Sequence, residues 1–167
     1  VEAVRALVEL GADCNVKGAE ERTPLRYAAA GGHKEVVRAL VELGADYNAM
    51  AAEGCTSPLH AAALNGNVEA LRVLVELGTD CNVEGLEGVT PLHVAAGYGH
   101  VPALRALVEL GADCNVKIAD GPLELGADFN VKNVQGRTPL HIAVIKGHVK
   151  AVRALVELGA DCNVKDA

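Results

Sequence analysis

Apolar residues recur along the chain at a spacing that predicts short amphipathic helices. In one segment Val37, Leu40 and Val41 lie about one helical turn apart, while Arg38 and Glu42 lie one turn apart on the polar side. Residues three and four apart share one face of a helix, so this segment predicts a helix with its apolar face turned inward. Similar segments occur at 1–10, 68–77, 101–110 and 149–158.

A second, shorter helix is predicted before each of these segments except the first. Thr90 is suited to cap a helix, and Pro91 presets the backbone angle of its first residue. Small apolar residues such as Ala95 follow, and Gly99 ends the segment. The linking segment 82–89 is rich in Gly and polar residues and predicts a projecting turn or hairpin, here called a finger. Each unit is therefore turn, helix, turn, helix.

Two sequence landmarks show that the unit repeats. The tripeptide Gly-Ala-Asp or Gly-Thr-Asp recurs six times, and four of the five intervals are 33 or 34 residues. Thr-Pro-Leu or Ser-Pro-Leu recurs four times, with steps of 34, 33 and 48. Two landmarks that share one period and one irregularity indicate an array of stacked repeats.

The segment Gly88 to Asn115 resembles the ankyrin repeat, with Gly-x-Thr-Pro-Leu-His-x-Ala-Ala, then Gly-His, then Leu-x-x-Gly-Ala-Asp-x-Asn. The resemblance implies an all-α ankyrin-repeat solenoid of stacked helix-turn-helix units with projecting finger turns or hairpins. The predicted divisions are a partial repeat 1–16, repeats 17–49, 50–83 and 84–116, a truncated repeat or connector 117–131, a final full repeat 132–164, and the start of another at 165–167.

The spacing is irregular in the middle of the chain. Gly111 and Gly126 are only fifteen residues apart, so most of a helix pair is missing there. An open gap is rejected, because exposing four large side chains costs about 6–12 kcal/mol. Two explanations stay open: a true deletion over which the stack closes, or residues absent from the recorded sequence with a break near Gly121 and Pro122. The surface is predicted in two pieces, before Lys117 and after residue 129.

Both ends and the first two fingers depart from the pattern. The chain enters at a second helix and stops before the next Thr-Pro unit, which predicts a fragment of a longer array. Glu21 stands where the finger has Gly, Arg26 replaces the family His, and the second unit has one extra residue near Gly54. The first two fingers are therefore expected to be distorted.

Composition argues against several classes of partner. The net charge of −7, the single Phe, the three Tyr and the absence of Trp disfavour nucleic-acid binding. No apolar run reaches the eighteen residues of a membrane span, so no membrane partner is expected.

The cysteines fit a structural role. Four of the five occupy one repeat position: Cys14, Cys81, Cys114 and Cys162. Stacked helices lie about 10 Å apart, too far for a disulfide, so these thiols are expected to stay reduced, as in a cytoplasmic or nuclear compartment. No zinc-ligand spacing is present, and Cys55 on a finger is the least certain in its role.

The histidines are also periodic. One set follows Pro-Leu and the other follows a helix-ending Gly or its equivalent: His60, His93 and His141; His33, His100 and His148. The family resemblance implies that these side chains hydrogen-bond neighbouring turns. No catalytic set and no phosphate-binding loop emerge, so a non-enzyme without cofactor or metal is predicted.

A protein partner is predicted to bind the positions that vary between units, on the fingers and on the inner (first) helices. Tyr98 and Tyr27 are the predicted anchors, because aromatic residues dominate interface energies. The candidate set is Arg22, Tyr27, Met50, Glu53, Leu64, Asn65, Leu86, Val89, Tyr98, Gln135, Arg137, Ile145 and Lys146. The alternatives are a regulatory segment of a larger enzyme or channel, and a structural spacer. Acidic middle fingers (Glu53, Glu84, Glu87) and a basic last unit (Lys132, Arg137, Lys146) predict a partner of complementary polarity.

Overall fold

A computed structural model describes residues 1–18, 21–51, 56–115 and 136–164. Within these residues the chain forms helices and turns and no strand. The first helices of the units are α2 (Pro24–Ala30), α4 (Pro58–Leu64), α6 (Pro91–Gly97) and α8 (Pro139–Ile145). The second helices are α1 (Glu2–Glu9), α3 (Lys34–Glu42), α5 (Val68–Glu76), α7 (Val101–Glu109) and α9 (Val149–Glu157).

The first helices begin where the sequence predicts. Thr23 has an extended backbone and accepts a hydrogen bond from the backbone N–H of Arg26, at 3.4 Å. Ser57, Thr90 and Thr138 also have extended backbones, and a proline follows each of them. The cap satisfies a free N–H of the first turn, and proline has no N–H to leave unpaired.

Each turn between the two helices of a unit needs glycine. Gly99 has φ of +71°, in the left-handed region that favours glycine. A Cβ at Gly99 would also lie 2.9 Å from the ring of His148 in the next unit. The turn is therefore both left-handed and tightly packed.

The helices stack in two rows. First helices pack on first helices and second helices on second helices, and the two helices of each unit pack on each other. Leucines of both rows form the core and are fully buried: Leu25, Leu59, Leu71, Leu74, Leu92, Leu104, Leu107 and Leu155. The predicted all-α solenoid of helix pairs is confirmed.

The described fingers are turns. The third finger contains a 3-10 turn at Leu86–Gly88, and the N–H of Gly85 donates to the carbonyl of Val89 at 2.8 Å. In the first finger Glu21 has the backbone conformation of the glycines at the equivalent position, with φ of +56° where Gly88 has +75° and Gly136 has +61°. The expected distortion at Glu21 is therefore absent; the residue takes up a conformation that glycine adopts more readily.

The complete helix pairs are numbered from the first unit (α2 and α3) through the second (α4 and α5) and third (α6 and α7) to the fourth (α8 and α9). The fourth unit, after the irregular segment, packs directly on the third. α8 contacts α6, and α9 contacts α7, as in the earlier pairs of neighbours. Hydrogen bonds across this interface join residues that are 15 positions further apart in sequence than the residues joined by the equivalent bonds between earlier units. The separations are 44 here against 29 there, 51 against 36, 46 against 31, and 52 against 37. The stack is continuous here, and the expectation of a surface in two pieces is wrong.

The contact between the third and fourth units is relevant to the two explanations for the irregular segment. The fourth unit occupies the place of the next repeat, with the additional residues in the connection between 115 and 136. This placement agrees with closure over an enlarged connection. Gly121 and Pro122, near which one of the two explanations places a break, lie outside the described residues.

Candidate partner-binding surface

The first helices are joined to the next unit through buried histidines. The backbone N–H of Ser57 donates to Nδ1 of His60 at 3.2 Å, so Nδ1 is the acceptor and Nε2 carries the proton. Nε2 donates to the carbonyl of Val89 in the next finger at 2.8 Å. Burial, and secondarily the charge of Arg26, lowers the pKa of His60 to about 4, although the bond to Val89 raises it. His60 is a neutral structural link.

His93 repeats this arrangement one unit later. The N–H of Thr90 donates to His93 Nδ1 at 3.3 Å, and Nε2 donates to the carbonyl of Arg137 at 3.2 Å. In the first unit a different side chain makes the link, since Nη2 of Arg26 donates to Oγ1 of Thr56 at 2.9 Å. The role that the family resemblance implied for these histidines is confirmed.

A second set of side chains links each turn back to the preceding unit. Nε2 of His100 donates to the carbonyl of Leu64, and Nε2 of His148 donates to the carbonyl of Gly97, both at 3.0 Å. Asn67 takes this place in the second unit and donates through Nδ2 to the carbonyls of residues 29 and 30, at 3.1 and 2.7 Å. Carbonyls at the ends of the first helices are thereby satisfied.

Exposed ion pairs join the second helices. Arg38 pairs with Glu76 of the next unit at 3.1 Å, and Glu42 pairs with Arg5 of the preceding one at 3.1 Å. Sequence spacing alone placed Arg38 and Glu42 one turn apart but did not reveal that each pairs between units. The remaining pairs of the series are Arg72–Glu109 and Arg105–Glu157.

Three of the described cysteines, Cys14, Cys81 and Cys114, are structural links between neighbouring units. Sγ of Cys14 donates to the carbonyl of Leu43, and Sγ of Cys81 to that of Leu110, both at 3.5 Å. Burial raises the pKa of the Cys81 and Cys114 thiols, which disfavours the reactive thiolate. The cysteines of the described ranges are free thiols, and these ranges hold no cluster of metal-binding side chains. Cys55 lies outside them.

Large exposed apolar side chains of the first three units belong to a finger or to a first helix and its C-terminal cap. Within described residues 21–115 they are Tyr27, Leu86 and Tyr98, with 54%, 43% and 37% of their surface exposed. The Tyr98 ring stacks on His100, with centroids 6.2 Å apart and planes at 6°. All three residues belong to the set predicted from sequence, whereas the repeat equivalents of Tyr27 in the later units are buried: Ala61, Val94 and Ile142.

The rest of the predicted set is distributed unevenly. Ile145 and Asn65 are exposed, whereas five others are half-buried: Arg22, Met50, Leu64, Arg137 and Lys146. Val89 is only 3% exposed and packs in the core, so its side chain is not accessible to a partner, contrary to the prediction from sequence. Glu53 and Gln135 lie outside the described residues.

Sequence reasoning missed the exposed apolar face of the last unit. Val144 is 58% exposed, while the equivalent Ala96 is fully buried against α8. With Ile145 and Leu140 it lines a shallow groove of about 320 Å³. The signal in the sequence was the larger residue at a position that holds alanine in the other units.

Family models identify the repeats. A model of three copies of ankyrin repeats matches residues 1–51 and 50–118, and a model of one ankyrin repeat matches residues 135–167. A search of curated proteins gives no match. The helices of the described residues are too short or too polar for any of them to cross a membrane.

Proposed function

The chain belongs to the ankyrin repeat family, and we propose that it binds a partner protein through its fingers and first helices. Ankyrin repeats are generally modules of protein–protein interaction and typically non-enzymatic, which supports the general role. The particular surface is our proposal. It comprises Arg22, Tyr27, Met50, Leu64, Asn65, Leu86, Tyr98, Arg137, Ile145 and Lys146, with Glu53 and Gln135 retained from the sequence.

One observation carries this proposal: within described residues 56–115 the large exposed apolar side chains, Leu86 and Tyr98, lie on a finger and on the C-terminal cap of a first helix. Both cost free energy by meeting water although α6 has first helices packed on both sides, and neither fills the core. The second helices of the same units present ion pairs between units instead. An exposed aromatic can anchor a partner, whereas an exposed ion pair that is already satisfied offers less.

The first helices bring the proposed contacts into one row. α2, α4, α6 and α8 pack successively, so Leu64, Ile145 and the C-cap residue Tyr98 lie at the same ends of three neighbouring first helices, and Tyr27 lies in the middle of α2. The continuous interface between the third and fourth units extends this row to Ile145. A partner could therefore make several modest contacts along one surface.

The test compares the two sides of the stack. Partners are captured with the wild-type chain, identified by mass spectrometry, purified, and measured for affinity against Tyr98→Ala and Tyr27→Ala. Removal of a buried interface tyrosine is expected to cost about 2 kcal/mol, or roughly thirtyfold in Kd. Arg72→Ala on the second-helix side is the matched control and is expected to leave Kd within about twofold.

Two outcomes would count against the proposed surface. Equal affinity of the tyrosine variants and the wild type would exclude the tyrosines as anchors. A large loss with Arg72→Ala alone would place the partner on the second helices. Circular dichroism of each variant checks that the fold is retained.

A further inference from the structure

The interface between two neighbouring units, here called a joint, contains two side-chain links: one from the first helix to the next finger, and one from the next turn back to the end of that helix. At the joint between the first and second units these links differ chemically from those at the two joints that follow. Arg26 makes the link to Thr56 of the next finger, and Asn67 makes the link back to the end of α2. Arginine stays charged and asparagine does not titrate, so neither link changes protonation near physiological pH. At the next two joints both links are histidines: His60 and His100, then His93 and His148.

Protonation affects the two kinds of histidine link differently. His60 and His93 accept the cap N–H through Nδ1, so a proton on Nδ1 removes that acceptor. It also places a charge in the core, since His60 and His93 are 1% and 0% exposed. His100 and His148 use Nε2 as a donor to a carbonyl, and an imidazolium can still make that bond. The cap histidines are therefore the acid-labile links.

Charged groups on the neighbouring first helices, fingers and second helices surround these two rings. The Arg26 guanidinium acts on His60 from α2 and disfavours a second positive charge. The Arg and Glu side chains of α5 and α7 form ion pairs with neighbouring second helices and are 40–62% exposed. For His60, the titratable or charged groups on the neighbouring first helices and finger are Arg26, His93, Glu84 and Glu87. For His93, the corresponding groups are His60, His141 and Arg137.

We propose that the stack is built in two parts of different acid sensitivity: a pH-insensitive joint between the first two units, and acid-labile joints between the second and third and between the third and fourth. Acidification loosens α6 to α9 while α2 to α5 stay joined.

The sign and size follow from linkage at His60. Its pKa falls from 6.5 in the unfolded chain to about 4 in the fold, so the unfolded state binds more protons between these values. The stabilisation is present above pH 6.5 and is lost as the pH falls toward 4. Between pH 7.5 and 5.0 this residue alone lowers the folding equilibrium constant about 30-fold. Most carboxylates are still ionised at pH 5.0.

Hydrogen exchange measured by NMR at pH 7.5 and 5.0, corrected for the intrinsic rate, tests the proposal on the wild-type chain. Protection factors in α6 to α9 are expected to fall about 30-fold or more, and those in α2 and α3 less than about threefold. Equal losses in both parts would overturn the proposal, as would a larger loss in α2 and α3. Nitrogen-15 spectra of the imidazole rings supply a second readout, in which His60 or His93 titrating near 6.5 would also overturn it.

A single substitution should make the joint between the first and second units sensitive to acid. In Arg26→His, protection in α2 and α3 is expected to fall at least tenfold more between pH 7.5 and 5.0 than in the wild type. Arg26→Gln is the matched control, because it removes the same arginine without adding a titrating group. If both variants respond to pH as the wild type does, the links do not set the acid response.

Discussion

The two rows of helices hold their neighbours by different interactions. Between first helices, Ser57 or Thr90 and a histidine share buried hydrogen bonds that continue into the next finger. Between second helices, arginine and glutamate pair at the surface. Buried hydrogen bonds are costly to break because the remaining group is left unpaired, whereas exposed ion pairs exchange for water with little loss.

The first-helix side can vary in sequence without loss of the fold. The buried caps and the leucines fix the stack, and they occupy a few positions in each unit. Positions such as that of Tyr98 and its equivalent Asn65 lie at the end of the same helices and face water. The row of first helices, whose units are joined by buried hydrogen bonds, therefore also carries the surface that varies between units.

The largest difference between the rows is expected at the joint of the third and fourth units. His93→Ala leaves the N–H of Thr90 and the carbonyl of Arg137 without this partner and opens a cavity. We expect the free energy of unfolding at pH 7.5 to fall by about 3 kcal/mol. Urea denaturation followed by circular dichroism measures it.

Arg105→Ala is the matched variant, since it removes the ion pair with Glu157 at the same joint on the other row. We expect less than about 1 kcal/mol, because both side chains of this pair are well exposed. If Arg105→Ala destabilised the chain as much as His93→Ala, the contrast between buried and exposed joints would be wrong.

A smaller effect, of opposite sign, is expected in the first finger. Glu21 holds φ of +56°, which costs a residue with a Cβ about 1–2 kcal/mol relative to glycine. Its ion pair with Lys17 is exposed on both sides and offsets little of this. Glu21→Gly is therefore expected to raise the free energy of unfolding by about 1 kcal/mol, measured by urea denaturation.

Gly88→Ala provides the reverse test, because Gly88 has φ of +75° at the equivalent finger position. It is expected to lower stability by about 1 kcal/mol. Opposite signs for the two substitutions would show that the finger conformation sets the energy, and a destabilising Glu21→Gly would contradict this.

The second-helix row contains its own weak point at Thr79. Its hydroxyl is buried and has no hydrogen-bond partner among the described residues, at a position where the other units have alanine. Thr79→Val keeps the shape and removes the unpaired group, so we expect unfolding to cost about 1 kcal/mol more. Thr90→Val, at a paired hydroxyl, is the control and should destabilise. A destabilising Thr79→Val would indicate that the hydroxyl has a partner.

Sequence alone predicted the elements of this fold because the signals are local. Thr90 and Pro91 start a helix through cap and backbone angle, and Gly99 ends it, whatever the rest of the chain does. The repeat period of the sequence then predicted that the units stack on one another. Tyr98 was also predictable as exposed, because it occupies a position that varies between repeats and holds the polar Asn65 in the second unit.

The remaining features depend on distances between units, which the pattern does not contain. Arg38 has Glu42 one turn away but pairs with Glu76 across the interface. Val89 occupies a variable finger position, yet it packs inward while its carbonyl accepts from His60. Closure of the fourth unit on the third also became visible only through these contacts.

The smallest predicted effect is that of one ion pair in the second-helix row. Arg72 and Glu109 lie 2.8 Å apart and are 40% and 57% exposed. A double-mutant cycle with Arg72→Ala and Glu109→Ala is expected to give a coupling of about 0.5 kcal/mol at low salt. At 1 M NaCl the coupling should fall toward zero, because the Debye length shortens to about 3 Å. A coupling above about 1.5 kcal/mol that persisted in salt would mean that this row is held as firmly as the buried one.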